Sequence, residues 1–522
     1  MELRTSSPTV TDRQVQIELV AMELHAYSTL LHFIKTKWRM DAKEGGTEGC
    51  MLPSDRAALA EQRPHTRLPQ YLVTLAVSLT AFSTGNILGW TAPALPFLEG
   101  CDSPLPVTKH ESSWIGSLVA VGACIGALPV GPLTEIFGRR LVILCSAGPL
   151  LISWMLIFCA TSVYFLYIAR LIAGVGVGAV CTTVPTYISE IAEPRIRGTL
   201  CLSFQMMLVC GILFSYALGA ILHYPVLLIL NGVVPFIFLA AFFKAPESPV
   251  HSLKKGQRQQ AENALRVLRG RHYNVFKELH ALENEMNENK EEKSSLGRLL
   301  LKRASRVSLT ICLGLMAFQQ LSGINVIIFY TADLFKSAGS TMSPALATIL
   351  VGIAQVIATI VSGVLIDTSG RKVLLQTSAS VMSVCLLVLG WYFHLQQKGT
   401  DTSAITFLPL LSLVLYIIVF AVGFGPIPWM MCGEILPNEI KGIGTGIAVA
   451  FNWFLAFTVT KTYQLLVEYM GSAKTFWMFG VISFAGFLFS TFVVIETKKK
   501  SLTEIQSELS GHKPDQRRSN VI

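Results

Sequence analysis

Twelve stretches of about twenty mostly apolar residues run through this chain, each long enough to cross the ~30 Å hydrocarbon core of a bilayer as a helix. Six lie near 70–90, 114–134, 141–160, 164–186, 200–221 and 225–243. Six more lie near 305–330, 345–366, 373–393, 406–431, 443–466 and 474–495. Composition agrees. Only 14% of the 522 residues are charged and 52% are hydrophobic, against roughly 25% charged in soluble domains. Several soluble domains could not be given polar surfaces from this supply. The expected fold class is an all-α polytopic membrane protein with twelve transmembrane helices in two six-helix bundles.

Between the two sets, residues 244–304 are densely charged and helically patterned over 257–290, which predicts a soluble helical insert. The chain then divides into an arm (1–69), a first bundle (70–243), the insert (244–304), a second bundle (305–495) and a tail (496–522). The arm shows no cleavable signal peptide. Its one apolar piece, Leu19–Ile34, is interrupted by Glu23, His25 and His32 and is too short to span. It reads as an amphipathic surface helix, a disordered arm or the product of an upstream start, with Met40 and Met51 as alternative starts.

The net charge of +9 could suggest nucleic acid, but its distribution argues for membrane orientation. Of the 42 Lys and Arg, Lys109, Lys336, Lys398 and Lys474 occupy loops on one side, while Arg170 and Lys461 fall within spans. All the others lie on the opposite side, the pattern of a cytoplasmic face. Both termini are therefore expected in the cytoplasm. The eleven cysteines are odd in number and sit mostly inside apolar runs, so they read as packing residues and not as a disulfide framework.

The halves repeat one another. GPLTEIFGRR after the second span carries Gly131, Glu135, Gly138, Arg139 and Arg140; GVLIDTSGRK after the eighth carries Gly363, Asp367, Gly370, Arg371 and Lys372 at the same spacing. Glu190 is followed seven residues on by Arg197, and Glu434 by Lys441. Such doubling marks an internal duplication. Acids and bases at these helix ends can pair across neighbouring spans and hold one side shut, which makes Glu135, Arg139, Arg140, Glu190, Arg197, Asp367, Arg371, Lys372, Glu434 and Lys441 gating candidates. Pro426 and Pro428, among glycines in span ten, interrupt that helix and predict a moving hinge.

With these motifs, and with RLIAGVGVG, PESP at 246–249, QQLSGIN at 319–325, GPIPW at 425–429 and ETKKKSL at 496–502, the chain resembles the sugar porter branch of the major facilitator superfamily over residues ~70–505. Within it, EIKGIGTGIAVAFNW and VTKTYQ resemble insect facilitated trehalose transporters. It departs from the family at Val250 and His251, where Arg commonly follows PESP, and at Ile495, where the closing PET motif has proline. The resemblance implies two pseudo-symmetric bundles and carriage of a sugar.

A sugar site inside a bilayer needs amides for the hydroxyls and aromatic faces for the ring. The spans supply Gln205, Gln319, Gln320, Asn325, Gln355, Asn452 and Trp453, with Trp429 beside the broken helix. The resemblance places the family's binding amides on Gln205, Gln319, Gln320 and Asn325 and its span-eleven pair on Asn452 and Trp453, with Gln355 and Ala421 as substitutions. Ion coupling needs a titratable group deep in the bundle, and the spans hold no such Asp or Glu. The resemblance puts Asn86 where proton-coupled relatives carry Asp beside the deep Arg170. These observations predict facilitated diffusion of trehalose or a hexose; the alternatives are a proton symporter and a non-transporting sensor. No phosphate-cradling loop, metal-ligand spacing or nucleophile–base pair is present. No enzymatic activity, cofactor, metal, nucleic acid or obligate protein partner is expected, and the partners are the sugar and the bilayer.

Overall fold

A computed structural model describes residues 67–100, 103, 105–193, 195–270, 273–288, 302–337, 343–437, 440–498, 500 and 502–510. The expectations for the arm before residue 67 and for the tail beyond 510 lie outside these residues. Among the described residues there are helices and connections, and no strand.

Each apolar run lies in helix. The first half comprises α1 (Leu68–Gly89) continued by α2 (Thr91–Leu98), α3 (Lys109–Phe137), α4 (Arg139–Phe158), α5 (Val163–Ile191), α6 (Arg197–Ile221) and α7 (Tyr224–Phe242). Three short helices follow: α8 (Pro249–Lys254), α9 (Arg258–Arg269) and α10 (Val275–Glu288). The second half comprises α11 (Arg303–Leu321) continued by α12 (Ile324–Ser337), α13 (Pro344–Ser369), α14 (Arg371–Gln397), α15 (Leu408–Val422) continued by α16 (Ile427–Ile435), and α17 (Lys441–Phe492). A last helix, α18 (Leu502–Ser510), closes the described chain.

At 1.5 Å per residue, the 52 residues of α17 would reach ~78 Å if straight, far beyond one bilayer. Gly471 divides it. Its φ of 85° and ψ of 158° turn the chain back, so α17 supplies spans eleven and twelve. Local chemistry sets the other boundaries. Thr108 and Glu111 form a reciprocal cap that starts α3, with Glu111 N–H donating to Thr108 Oγ1 at 3.3 Å and Thr108 N–H to Glu111 Oε2 at 2.8 Å. Matched left-handed glycines, Gly138 (φ 92°) and Gly370 (φ 88°), end α3 and α13 and let the next span start at once.

Packing is inverted relative to a soluble protein. Large apolar side chains such as Ile125, Phe158, Phe236 and Phe484 are exposed on the outside, whereas Ser78, Thr80, Asn86, Arg170 and Asn452 are buried. Small residues let helices approach closely: a Cβ on Gly122 of α3 would lie 2.0 Å from Leu171 O of α5. Across the halves, α3 packs on α17, α6 on α13 and α2 on α12. The insert has its own small core of Ala261, Leu265, Val275 and Leu279. Buried Arg269 pins it to the bundle, donating to Ile191 O at the end of α5 (2.8 Å) and to Glu278 (2.7 Å).

Candidate substrate cavity and gate

Span ten breaks for a reason that can be traced bond by bond. Pro426 and Pro428 have no N–H, so Val422 O and Phe424 O lose their partners four residues on. Both carbonyls are taken by side chains from other helices. Ser362 of α13 donates to Val422 O at 3.1 Å, and Gln319 Nε2 of α11 donates to Phe424 O at 2.6 Å and Gly425 O at 3.0 Å. The broken helix is thereby tied to an amide network. Asn452 Nδ2 of α17 donates to Gln319 Oε1 (2.8 Å), Gln320 Nε2 donates to Asn452 Oδ1 (2.9 Å), and Asn325 Nδ2 donates to Gln320 Oε1 (2.6 Å).

All four amides are at most 7% exposed. Gln319 lies in the last turn of α11 and Asn325 in the first turn of α12, six residues apart across the break in span seven. Gly323, at φ 87° between α11 and α12, leaves them within reach of one network through Gln320 and Asn452. The other four expected residues stay outside its hydrogen bonds. Gln205 is half-buried on α6 and Gln355 is buried on α13, two helices packed on each other across the halves. Trp429 is half-buried, and Trp453 is buried with its Nε1 unpartnered.

Arg170 is fully buried, and each of its guanidinium nitrogens has a partner. Its Nε donates to Ile115 O (3.0 Å), Nη1 to Ile87 O (2.8 Å) and Nη2 to Thr91 Oγ1 (2.8 Å), and the guanidinium lies 5.0 Å from the centroid of Trp90. Asn86, which the resemblance sets at the coupling position, makes no hydrogen bond to Arg170 among the described residues. Arg170 grips one flank of α1, while the Asn86 side chain turns to another. There its amide nitrogen can donate to Phe82 O at 3.2 Å and to Gly211 O of α6 at 3.0 Å. The neutral group facing the arginine is the hydroxyl of Thr91, which sequence reasoning missed.

At the base-rich end each half carries the same cluster. In the first, Arg139 Nη2 donates to Glu135 (2.7 Å), its Nε and Nη2 to Glu190 (3.3 and 3.2 Å), and its Nη1 to Thr134 O (3.0 Å). Glu247 accepts from the N–H groups of Arg139 (3.0 Å) and Arg140 (3.1 Å) at the start of α4, and Ser248 Oγ donates to Glu190. In the second half, Arg371 Nη2 donates to Glu434 (3.1 Å). Glu496 accepts from the N–H groups of Arg371 (3.0 Å) and Lys372 (2.9 Å), and Thr497 donates to Glu434 (2.5 Å).

Glu247–Ser248 and Glu496–Thr497 are thus one repeated element, leaving spans six and twelve respectively. The acid–hydroxyl dipeptide after each sixth span was the available signal. Each acid binds backbone N–H groups at a helix N-terminus, where the dipole favours an anion. Burial raises the affinity of Glu496 for a proton, but the backbone N–H groups of Lys498, Lys372, Arg371 and Thr497 outweigh it and hold the carboxyl below its usual range.

Other candidates stand apart. Arg140 Nη2 donates to Phe243 O at 2.6 Å. Arg197 is exposed, and among the described residues neither it nor Lys441 forms an ion pair with Glu190 or Glu434. Each of those acids is taken by the arginine of its own half. The side chain of Asp367 lies outside the described residues. One contact falls at a departure from the family pattern: His251 Nδ1 lies 2.8 Å from Arg139 Nη1.

Comparison with known proteins agrees with this architecture. The family described as sugar (and other) transporter matches residues 71–509. The facilitated trehalose transporter Tret1 of Drosophila mojavensis is 40% identical over 444 residues, covering 85% of this chain and 51% of that protein. The Tret1 of Anopheles gambiae is also 40% identical, over 85% of this chain and 56% of its own length. The Tret1-2 homolog of Drosophila simulans is 40% identical over 85% of this chain and 92% of its own. The chain thus spans about half the length of the first two relatives and nearly all of the third. Among solved structures it is similar to the major facilitator superfamily proton:xylose symporter XylE bound to 6-bromo-6-deoxy-D-glucose. There the TM-score is 0.72 at 26% identity, covering 84% of this chain and 99% of the other.

Proposed function

The chain belongs to the sugar transporter family, and from that membership we propose that it carries a sugar across the plasma membrane by alternating access, as facilitated diffusion. The observation that supports this most is the amide network at the break in span ten. A sugar hydroxyl both donates and accepts, as an amide does. Every amide of the network is paired with another amide or with a backbone carbonyl, so hydroxyls can replace these partners singly without stranding a buried polar group. Because span ten is held there by exchangeable side-chain bonds, binding can be coupled to its movement.

We place both termini and the base-rich end in the cytoplasm, where the two arginine–glutamate clusters close one side of the carrier in one state and loosen in the other. The substrate class we infer is trehalose or a hexose, in line with the relatives that are facilitated trehalose transporters. The downhill mode rests on Arg170. Three of its donors go to the carbonyls of Ile115 and Ile87 and to Thr91, and among the described residues no carboxylate pairs with it to load and unload a proton. Expression in oocytes or yeast without sugar carriers of their own, given labelled trehalose, glucose and fructose side by side, should show saturable uptake of at least one. A correctly delivered chain that moves none of them overturns the reading and favours a sensor.

A further inference from the structure

The guanidinium of Arg139 can only donate, so the ring nitrogen that it meets at 2.8 Å, His251 Nδ1, must accept. The imidazole in this cluster is therefore neutral, with its proton on Nε2. The site is crowded: the Arg139 side chain is 4% exposed, and a side chain on Gly138 would stand 3.3 Å from His251 Nε2. The charges acting on the ring among the described residues are Arg139 of α4, Glu247 before α8, Glu135 of α3 and Lys255 just after α8. Glu135 is already shared by Arg139 and Lys254, and Glu190 of α5 by Arg139 and Ser248.

The second half has no equivalent. Counting from the matched acids, Glu247 and Glu496, the place of His251 is taken by Lys500, whose Nζ is turned to Glu508 of α18 at 2.6 Å. We propose that His251 is a positioning residue for Arg139, and that its protonation loosens the cytoplasmic cluster of the first half, and of that half alone, when the cytoplasm acidifies. This rests on the reading of the clusters as a closure. A proton on Nδ1 removes the acceptor and sets a second cation against the guanidinium, so the ring must leave and Arg139 loses one of its anchors.

The sign follows from linkage. Burial, then the charge of Arg139, hold His251 below its usual range here. A ring released from the cluster returns towards ~6.5. The loosened state binds the proton more tightly, so the closed arrangement is fully favoured above that value and is lost as pH falls below it.

The test uses the full chain without sugar. Spin labels at Gln259→Cys and Ile443→Cys, exposed positions on α9 and α17, report the distance between the insert pinned to the first half and the cytoplasmic end of the second by pulsed electron resonance, with Cys50, Cys101 and the exposed Cys145 and Cys159 replaced by Ser. Lowering the pH from about 7.5 to 5.5, across the imidazole range, should raise the long-distance population at least twofold. His251→Asn, or His251→Gln if the first does not fold, keeps an acceptor that takes no proton and should remove the response. His251→Lys should resemble the acidified protein at both pH values. A pH-independent distribution in the unsubstituted chain, or an undiminished response in His251→Asn, overturns the proposal. A chain that responds as expected but moves neither trehalose nor glucose sinks the transport reading instead.

Discussion

Gln320 is the joint of the amide network, accepting from Asn325 and donating to Asn452. Replacing it with Leu strands both partners in a buried site, at about 1–3 kcal/mol each. Sugar flux should fall at least tenfold, which corresponds to ~1.4 kcal/mol, with surface delivery unchanged; unaltered flux would remove the proposed cavity. The identities of these amides were legible in the sequence, because a polar side chain in an apolar span is costly unless it faces the interior. Their pairing across helices was not, since apart from the local Asn325–Gln320 bond it joins residues more than a hundred positions apart. Arg170 shows the same division. Its burial was readable, but its partner was not: which flank of α1 it grips depends on how α5 packs there. The hydroxyl of Thr91 faces the arginine, so Thr91→Asp, and not Asn86→Asp, should introduce a pH dependence of transport. A flat pH profile in a folded Thr91→Asp protein would show that a carboxylate at this place is not enough.

Among the elements, the broken tenth span makes the sharpest prediction. Pro428→Ala restores an N–H four residues after Phe424, which then competes with Gln319 for that carbonyl. Pro428 stands in the first turn of α16, where proline is tolerated, so the gain in stability is that of the restored backbone bond, about 1 kcal/mol. The variant should melt at a higher temperature yet transport several-fold more slowly, and full-rate transport would mean that the break is a static kink. The charge clusters differ from one another in the same testable way. Reversing Arg139 sets three acids together in a nearly buried site, a loss of about 3–5 kcal/mol, and should lower the melting temperature and open the cytoplasmic side. Reversing the exposed Arg197 should do neither. If both variants behave alike, the arginines merely anchor the chain to lipid. The GRR and GRK turns were visible as a spaced repeat. That Glu247 and Glu496 cap the helices starting there was hidden, because the capping acid is more than a hundred residues away in each half.

For the whole molecule, a carrier whose buried arginine pairs with no carboxylate among the described residues should run downhill in either direction and stop when concentrations equalise. Exchange at equal sugar concentration should ignore imposed proton or sodium gradients across the membrane when the cytoplasmic pH is held fixed. Accumulation of a non-metabolised sugar, abolished by a protonophore, would overturn this. Span number, the doubling of the halves and the side expected to bear the bases all follow from sequence alone, because hydrocarbon thickness and the cost of unpaired backbone groups act on every segment separately. The boundary between spans eleven and twelve was legible as well: the gap from 466 to 474 holds Gly471, whose left-handed turn divides one run of helix. What only the tertiary structure decided is who pairs with whom. Gln319 with the carbonyls freed by proline, Arg170 with Thr91, Glu190 with Arg139 and not Arg197, and His251 with Arg139 are all contacts between distant segments. In a bilayer interior a buried donor has no water to fall back on and must take whichever acceptor the packing of its neighbours brings within 3 Å.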